Sequence, residues 1–211
     1  WGTVERQVEK GAIDLAAKAD AAVVCVGFNP MTETEGADRS FALAPEEETL
    51  VNEVAKTNPH TIVVLTAGGN VSMINWIDNV AALLHSWYPG QEGGTAIAEI
   101  IFGDVNPSGK LPASFEKKWE DNACYNSYYD HDNDKHVAYT EGIFVGYRHF
   151  DKTSIEPMFP FGYGLSYTTF EYKNLMLSAG KIRKGEKLKV SFDITNTGKR
   201  VGAEAAQLYI G

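Results

Sequence analysis

The chain has 211 residues, enough for one large domain or a medium domain and part of a second. Its 44% apolar and 22% charged content is that of an ordinary globular protein, and no stretch approaches the roughly 20 apolar residues that span a bilayer. A net charge of −9 argues against nucleic acid or an anionic membrane surface as a partner, since both need clustered Lys and Arg; a neutral or cationic ligand meets no such objection.

Trp1-Gly2-Thr3-Val4-Glu5-Arg6 has neither the basic n-region nor the apolar h-region of a signal peptide. Val4 to Ala19 is amphipathic, with Val8, Ile13, Leu15 and Ala16 spaced for one helix face. Ala21 to Gly27 is a continuous apolar run ended by glycine, the pattern of a strand buried on both faces. Cys25 lies in that run and reads as a small core residue, and with Cys124 it makes neither a disulfide framework nor a metal site. Pro45 to Lys56 is the next helix, with proline in its first turn and Glu46, Glu47 and Glu48 at its positive end.

His60 to Thr66 reads as a second buried strand, Val71 to Ile77 as a short helix and Val80 to Tyr88 as a third strand. Gly94 to Phe102 follows as a helix and Lys110 to Phe115 as a fourth strand. This alternation predicts a three-layer α/β/α sandwich around a mostly parallel sheet. Ligands meet such sheets at the loops beyond the carboxyl ends of the strands, here Asn29–Leu43, Ala67–Asn70 and Tyr88–Gly93. From Glu116 to about Asp151 the periodicity fades into a polar, Tyr-rich segment. Beyond Pro157 the pattern becomes purely β, with strands expected over Phe170–Leu177, Leu188–Thr197 and Ala203–Ile210.

Met31 to Arg39 places Glu33, Glu35, Asp38 and Arg39 directly after the first strand. Such a loop is either a solvated acidic turn with an Asp38–Arg39 contact or a carboxylate presented for general acid chemistry or a cation, and position alone leaves both open. Gly68-Gly69 and Gly90 to Gly94 match neither a P-loop nor a dinucleotide fingerprint, so they read as turns. His60, His85, His131, His136 and His149 lack zinc-type spacing, and Ser72 and Ser108 sit in no nucleophile elbow. No cofactor and no metal is called for.

Glu35-Gly36-Ala37-Asp38-Arg39, Gly90-Gln91-Glu92-Gly93-Gly94, the run Phe102 to Pro112, Glu141 to Asp151 and Phe161 to Phe170 come in an order and spacing that resembles the β-glucosidases of glycoside hydrolase family 3. The tail from Thr195 to Tyr209 is similar to the opening strands of that family's fibronectin type III-like domain. The resemblance implies residues 1–166 as the α/β sandwich domain and 167–211 as an incomplete fibronectin type III-like domain. It further implies a retaining, exo-acting glycosidase of terminal β-D-glucosyl residues, with a preceding (β/α)8-type domain of the same polypeptide as partner and source of the aspartate nucleophile.

Within that resemblance Glu35 maps onto the acid/base glutamate. Glu33 is the second choice, by analogy with the shorter motif of the plant exo-glucanase branch. Gly36, Asp38 and Arg39 shape the loop. The family suggests a periplasmic or secreted location. A non-catalytic carbohydrate-binding or accessory module and a family 3 β-xylosidase are the competing readings. The N-acetylglucosaminidases of the family fit less well, because they take their acid/base from a His–Asp pair in the barrel.

Overall fold

The structure, a computed structural model, describes residues 10–130, 133, 135–138 and onward to 210. Val4 to Glu9 of the expected first helix, and His131, lie outside the described residues. The chain divides into two compact units.

The first unit takes the described part of Trp1–Ile97 together with Ala113–Phe161. Helix α1 (Lys10–Ala16) leads to strand β1 (Ala22–Gly27), helix α2 (Pro45–Thr57), strand β2 (Thr61–Thr66) and strand β3 (Ala82–His85). The three strands form one parallel sheet in the order β1-β2-β3, with Ala22 opposite Thr61 and Ile62 opposite Ala82. The arrangement is α/β, a parallel sheet flanked by helices. In the central strand β2, Thr61, Val63, Val64 and Leu65 are buried from both sides. Each apolar side chain so buried contributes about 1.5–3 kcal/mol.

Helix α2 packs on β1 and β2 through Val51, Val54 and Ala55. Its start is fixed by Glu47, whose carboxylate accepts from the Ala44 amide (3.3 Å) and from the Gly27 amide at the end of β1 (3.2 Å). Ala44 has no side-chain oxygen, so only this half of a capping box forms. At the far end buried Asn58 donates to the carbonyls of Ala16 (3.0 Å) and Ala19 (2.9 Å), tying the connection after α1 to the end of α2.

Three expectations are corrected here. β1 is buried on one face only: Val24 and Val26 point inward while Val23 and Cys25 are exposed, so Cys25 is a free surface thiol and not a core residue. Val71 to Ile77 is not a helix; it runs through a bridge from Ser72 to Ala42 and turns into a 3-10 segment at Ile77–Asn79. That path buries Val71, Met73 and Trp76 completely. The fourth strand at Lys110–Phe115 does not form, and Phe115 makes only an isolated antiparallel bridge to Phe159.

A helix not foreseen, α4 (Tyr147–Thr153), buries Phe150 and starts at Gly146, whose φ of 56° suits glycine. Helix α3 (Gly93–Phe102) bears out the expected helix beyond Gly94.

The second unit takes Ala98–Pro112 and the described part of Gly162–Gly211. Its antiparallel sheet pairs β4 (Phe170–Leu177) with β5 (Val190–Asn196), as expected, and is consistent with an incomplete β-sandwich. Ala203 to Ile210 forms no strand, which corrects the third one expected. Its side chains bind instead of its backbone: Glu204 meets Lys110 Nζ (3.3 Å) and accepts from the Tyr172 hydroxyl (2.9 Å). The Asn106 amide organises this unit, accepting from Ser166 Oγ (3.0 Å) and the Tyr167 amide (2.8 Å) and donating to the Val201 carbonyl (2.9 Å).

Candidate active site

The acidic loop leaves β1 at Gly27, and local hydrogen bonds shape its first turn. The Asn29 carbonyl accepts from the amides of Thr32 and Glu33, both at 2.9 Å, and its side chain accepts from the Met31 amide (2.8 Å). Asparagine favours turns for this reason. Thr34 then bridges Ala37 in antiparallel fashion, leaving Glu35 and Gly36 as the tip of a tight hairpin. Gly36 has φ +78°, the left-handed value a type II turn requires at its third position. Glu35 stands exposed at this tip.

Glu33 is held quite differently. One oxygen meets Arg39 Nε at 3.2 Å, while the other accepts from the Tyr88 hydroxyl (2.6 Å) and the Gly68 amide (3.2 Å). Arg39 donates to the carbonyls of Ser40 (2.9 Å) and Asn70 (2.6 Å), and its guanidinium lies 4.5 Å from the centre of the Phe28 ring. Asn70 in turn donates to the side chain (2.6 Å) and carbonyl (3.1 Å) of buried Glu116, whose other oxygen takes the Asn122 amide. Glu33 and Arg39 thus join the loops that follow β1, β2 and β3. Asp38 pairs elsewhere: its two oxygens accept from the hydroxyls of Tyr128 (3.0 Å) and Tyr129 (2.7 Å).

The loop after β3 is shaped by His85 and Trp87. The Trp87 amide donates to His85 Nδ1 (3.2 Å), so Nε2 carries the proton and donates to the Gly69 carbonyl (3.3 Å). Burial lowers the His85 pKa below its ordinary value, in keeping with a neutral ring. Trp87 adopts φ 54°, a left-handed conformation that costs a bulky residue on the order of 1–3 kcal/mol. Its ring packs against His85 (4.5 Å) and Phe115 (6.1 Å), and the bend carries Tyr88 to Glu33.

Burial pushes the Glu33 carboxyl up, but the Tyr88 hydroxyl, the Gly68 amide and Arg39 together outweigh it and hold the pKa below the usual glutamate value. An unfolded glutamate titrates near about 4.3. Between the folded and unfolded values the unfolded chain binds more protons, so stability there rises with pH. The contribution is complete above the unfolded value and is lost as pH falls through the folded one. Thermal unfolding of the wild-type chain should therefore move to lower temperature below about pH 4.3, and the fall should be shallower in Glu33→Gln. Equal slopes in both proteins would contradict this account of Glu33.

Of the residues that stand out in the sequence, Glu33, Asp38 and Arg39 are held by partners that do not stand out there, namely Gly68, Asn70, Tyr88, Tyr128 and Tyr129, with Glu116 behind Asn70; these partners hold neither Glu35 nor Gly36. Tyr88 and Asn70 were within reach, since both lie in strand-end loops expected to meet a ligand. Among the described residues no three potential metal ligands come together.

The acidic hairpin after β1 is thus braced by the loops that follow β2 and β3 of the parallel sheet. Residues 5–147 match the glycosyl hydrolase family 3 C-terminal domain. A β-glucosidase of Rhizobium radiobacter is 45% identical over 203 residues, covering 94% of this chain and 24% of that protein, and a putative β-glucosidase of Schizosaccharomyces pombe is 44% identical over 94% of this chain and 23% of that one. The structure of β-glucosidase from Kluyveromyces marxianus in complex with glucose is similar with TM-score 0.81 and 42% identity, over 90% of this chain and 22% of that one. β-Glucosidase 3B from Thermotoga neapolitana in complex with glucose gives TM-score 0.83 and 38% identity, over 92% and 28%. The chain belongs to glycosyl hydrolase family 3, in its C-terminal domain region. It spans about a quarter of the length of the curated relatives it matches.

Proposed function

We propose that this chain is the part of a retaining, exo-acting β-glucosidase that supplies the general acid/base, and that Glu35 is that residue. The observation that carries the assignment is the division of labour between the two glutamates. Glu33 has both oxygens engaged by Arg39, Tyr88 and Gly68, whereas Glu35 stands exposed at the hairpin tip with no hydrogen bond or ion pair among the described residues. The relatives named as β-glucosidases support the reaction class.

Retention needs two carboxyl groups about 5–5.5 Å apart on either side of the glycosidic bond. The nucleophile, an aspartate of the (β/α)8-type domain, attacks the anomeric carbon while Glu35 gives its proton to the leaving oxygen. The glycosyl–enzyme ester forms and the aglycone departs as a neutral alcohol. Glu35, now a carboxylate, takes a proton from water as that water attacks the anomeric carbon. Glucose leaves with its β configuration and both carboxyl groups return to their starting states.

On this reading the 211 residues alone hold one member of the catalytic pair. The purified chain should show no p-nitrophenyl β-glucoside turnover above background, and glucose should not raise its melting temperature. Turnover abolished by a substitution within these residues would place the nucleophile here and overturn the proposal.

A further inference from the structure

We propose that Glu33, Arg39 and Tyr88 are positioning residues that fix the base of the hairpin so that the Glu35 carboxyl reaches the glycosidic oxygen; this rests on the reading of Glu35 as acid/base. A carboxylate at the tip of an exposed hairpin moves with every hinge beneath it. General acid catalysis tolerates little of that motion, because the donor must come within about 2.6–3.2 Å of the oxygen it protonates, and a misplacement of about 1 Å can cost 10²-fold.

Glu33 directly before the hairpin and Arg39 two residues after it turn inward, while Asp38 between Ala37 and Arg39 stays exposed. The Glu33 and Arg39 side chains retain 23% and 15% exposure, and their ion pair closes the hairpin just outside the Thr34–Ala37 bridge. Each is then fastened to rigid backbone at a second point. Arg39 reaches the Asn70 carbonyl beyond β2, and Glu33 reaches the Gly68 amide beyond β2 and the Tyr88 hydroxyl beyond β3. The fit at Gly68 is close: a Cβ there would stand 2.7 Å from Glu33 Oε1 and 3.1 Å from the Tyr88 ring. The Phe28 ring against the guanidinium adds a stacking surface that lysine cannot use. Every partner of Glu33 is a donor or a cation, which suits a permanent anion holding structure and not a group that must release and recover a proton.

The test uses the full-length enzyme. Glu33→Gln, Arg39→Lys and Tyr88→Phe are made alone and in a Glu35→Gln background, and each is assayed on an alkyl and a 2,4-dinitrophenyl β-glucoside. Glu33→Gln and Arg39→Lys should each lower kcat on the alkyl glucoside by about 10- to 100-fold, the scale of one lost charge-assisted hydrogen bond, with KM within about threefold. Tyr88→Phe, which removes one hydroxyl and leaves the packing intact, should cost about fivefold. With the dinitrophenyl glucoside the first release of dinitrophenolate, which needs no proton, should be little slowed by any of them, because Glu35 acts on that substrate only when water attacks the glycosyl–enzyme. In the Glu35→Gln background the losses should shrink below about twofold, because residues acting through one another are not additive.

Losses equal on both substrates in the step that releases the leaving group, or carried in full into the Glu35→Gln background, would overturn the positioning role while leaving Glu35 in place. Glu35→Gln without any dependence on the leaving group would overturn the acid/base reading itself.

Discussion

Glu35→Gln in the full-length enzyme is expected to lower turnover of alkyl β-glucosides by about 10²–10⁴-fold, the usual worth of a positioned general acid. Glutamine keeps the size and polarity of the side chain at the exposed hairpin tip, so the loop should keep its path and the melting temperature should move little. The loss should track the leaving group. An alkoxide cannot depart without a proton, whereas dinitrophenolate can, so glycosylation by the activated substrate should survive and deglycosylation should become the slow step. A burst of dinitrophenol followed by slow turnover is the expected trace. Uniform loss across both substrates would assign Glu35 a binding or structural role.

Trp76→Ala is expected to destabilise the first unit by about 3–5 kcal/mol, through lost burial and the cavity left behind. Trp76 has no exposed surface and lies just before the 3-10 turn at Ile77–Asn79, which packs against α2. The segment is also tied by side-chain amides: Asn52 donates to the Asn75 carbonyl (3.3 Å), Asn79 to Asn52 (2.8 Å) and Asn75 to Glu48 (3.0 Å). These bonds hold the walls of the cavity apart, so little collapse should relieve it. Thermal unfolding of the purified chain should shift down by roughly 10 °C. A shift of only a degree or two would mean that the segment repacks freely.

The central strand Thr61–Thr66 and the helices Pro45–Thr57 and Gly93–Phe102 were legible because each carries a strong local signal: a run rich in β-branched residues, a proline-and-glutamate start, a glycine-rich entry. The failures have separate causes. Val71 to Ile77 has apolar spacing that a helix and a packed turn both satisfy, and burial of Val71, Met73 and Trp76 decides for the turn. Lys110 to Phe115 has the right composition for a strand, but its backbone pairs at separate points, Leu111 with Gly162 and Tyr163 and Phe115 with Phe159, and the division into units falls between Pro112 and Ala113. β1 looked buried on both faces because composition cannot show which face a neighbour covers; Val23 and Cys25 are exposed.

At the site, Glu33 to Arg39 stood out as a cluster, but their partners did not. Tyr88 is 55 residues from Glu33, and Tyr128 is 90 from Asp38. Nothing local in a sequence announces such pairs; the parallel sheet brings the first together by aligning its strand ends.

The most direct test of Glu35 as acid/base is azide chemistry on the full-length enzyme. With Glu35→Gln, 2,4-dinitrophenyl β-glucoside and added azide, the small anion should attack the glycosyl–enzyme where water lacks its base, raising turnover and yielding β-glucosyl azide. Glu33→Gln, which leaves the Glu35 carboxylate in place, should give glucose and no azide adduct. β-Glucosyl azide from Glu33→Gln, with Glu35→Gln behaving as wild type, would contradict the account and move the acid/base to Glu33.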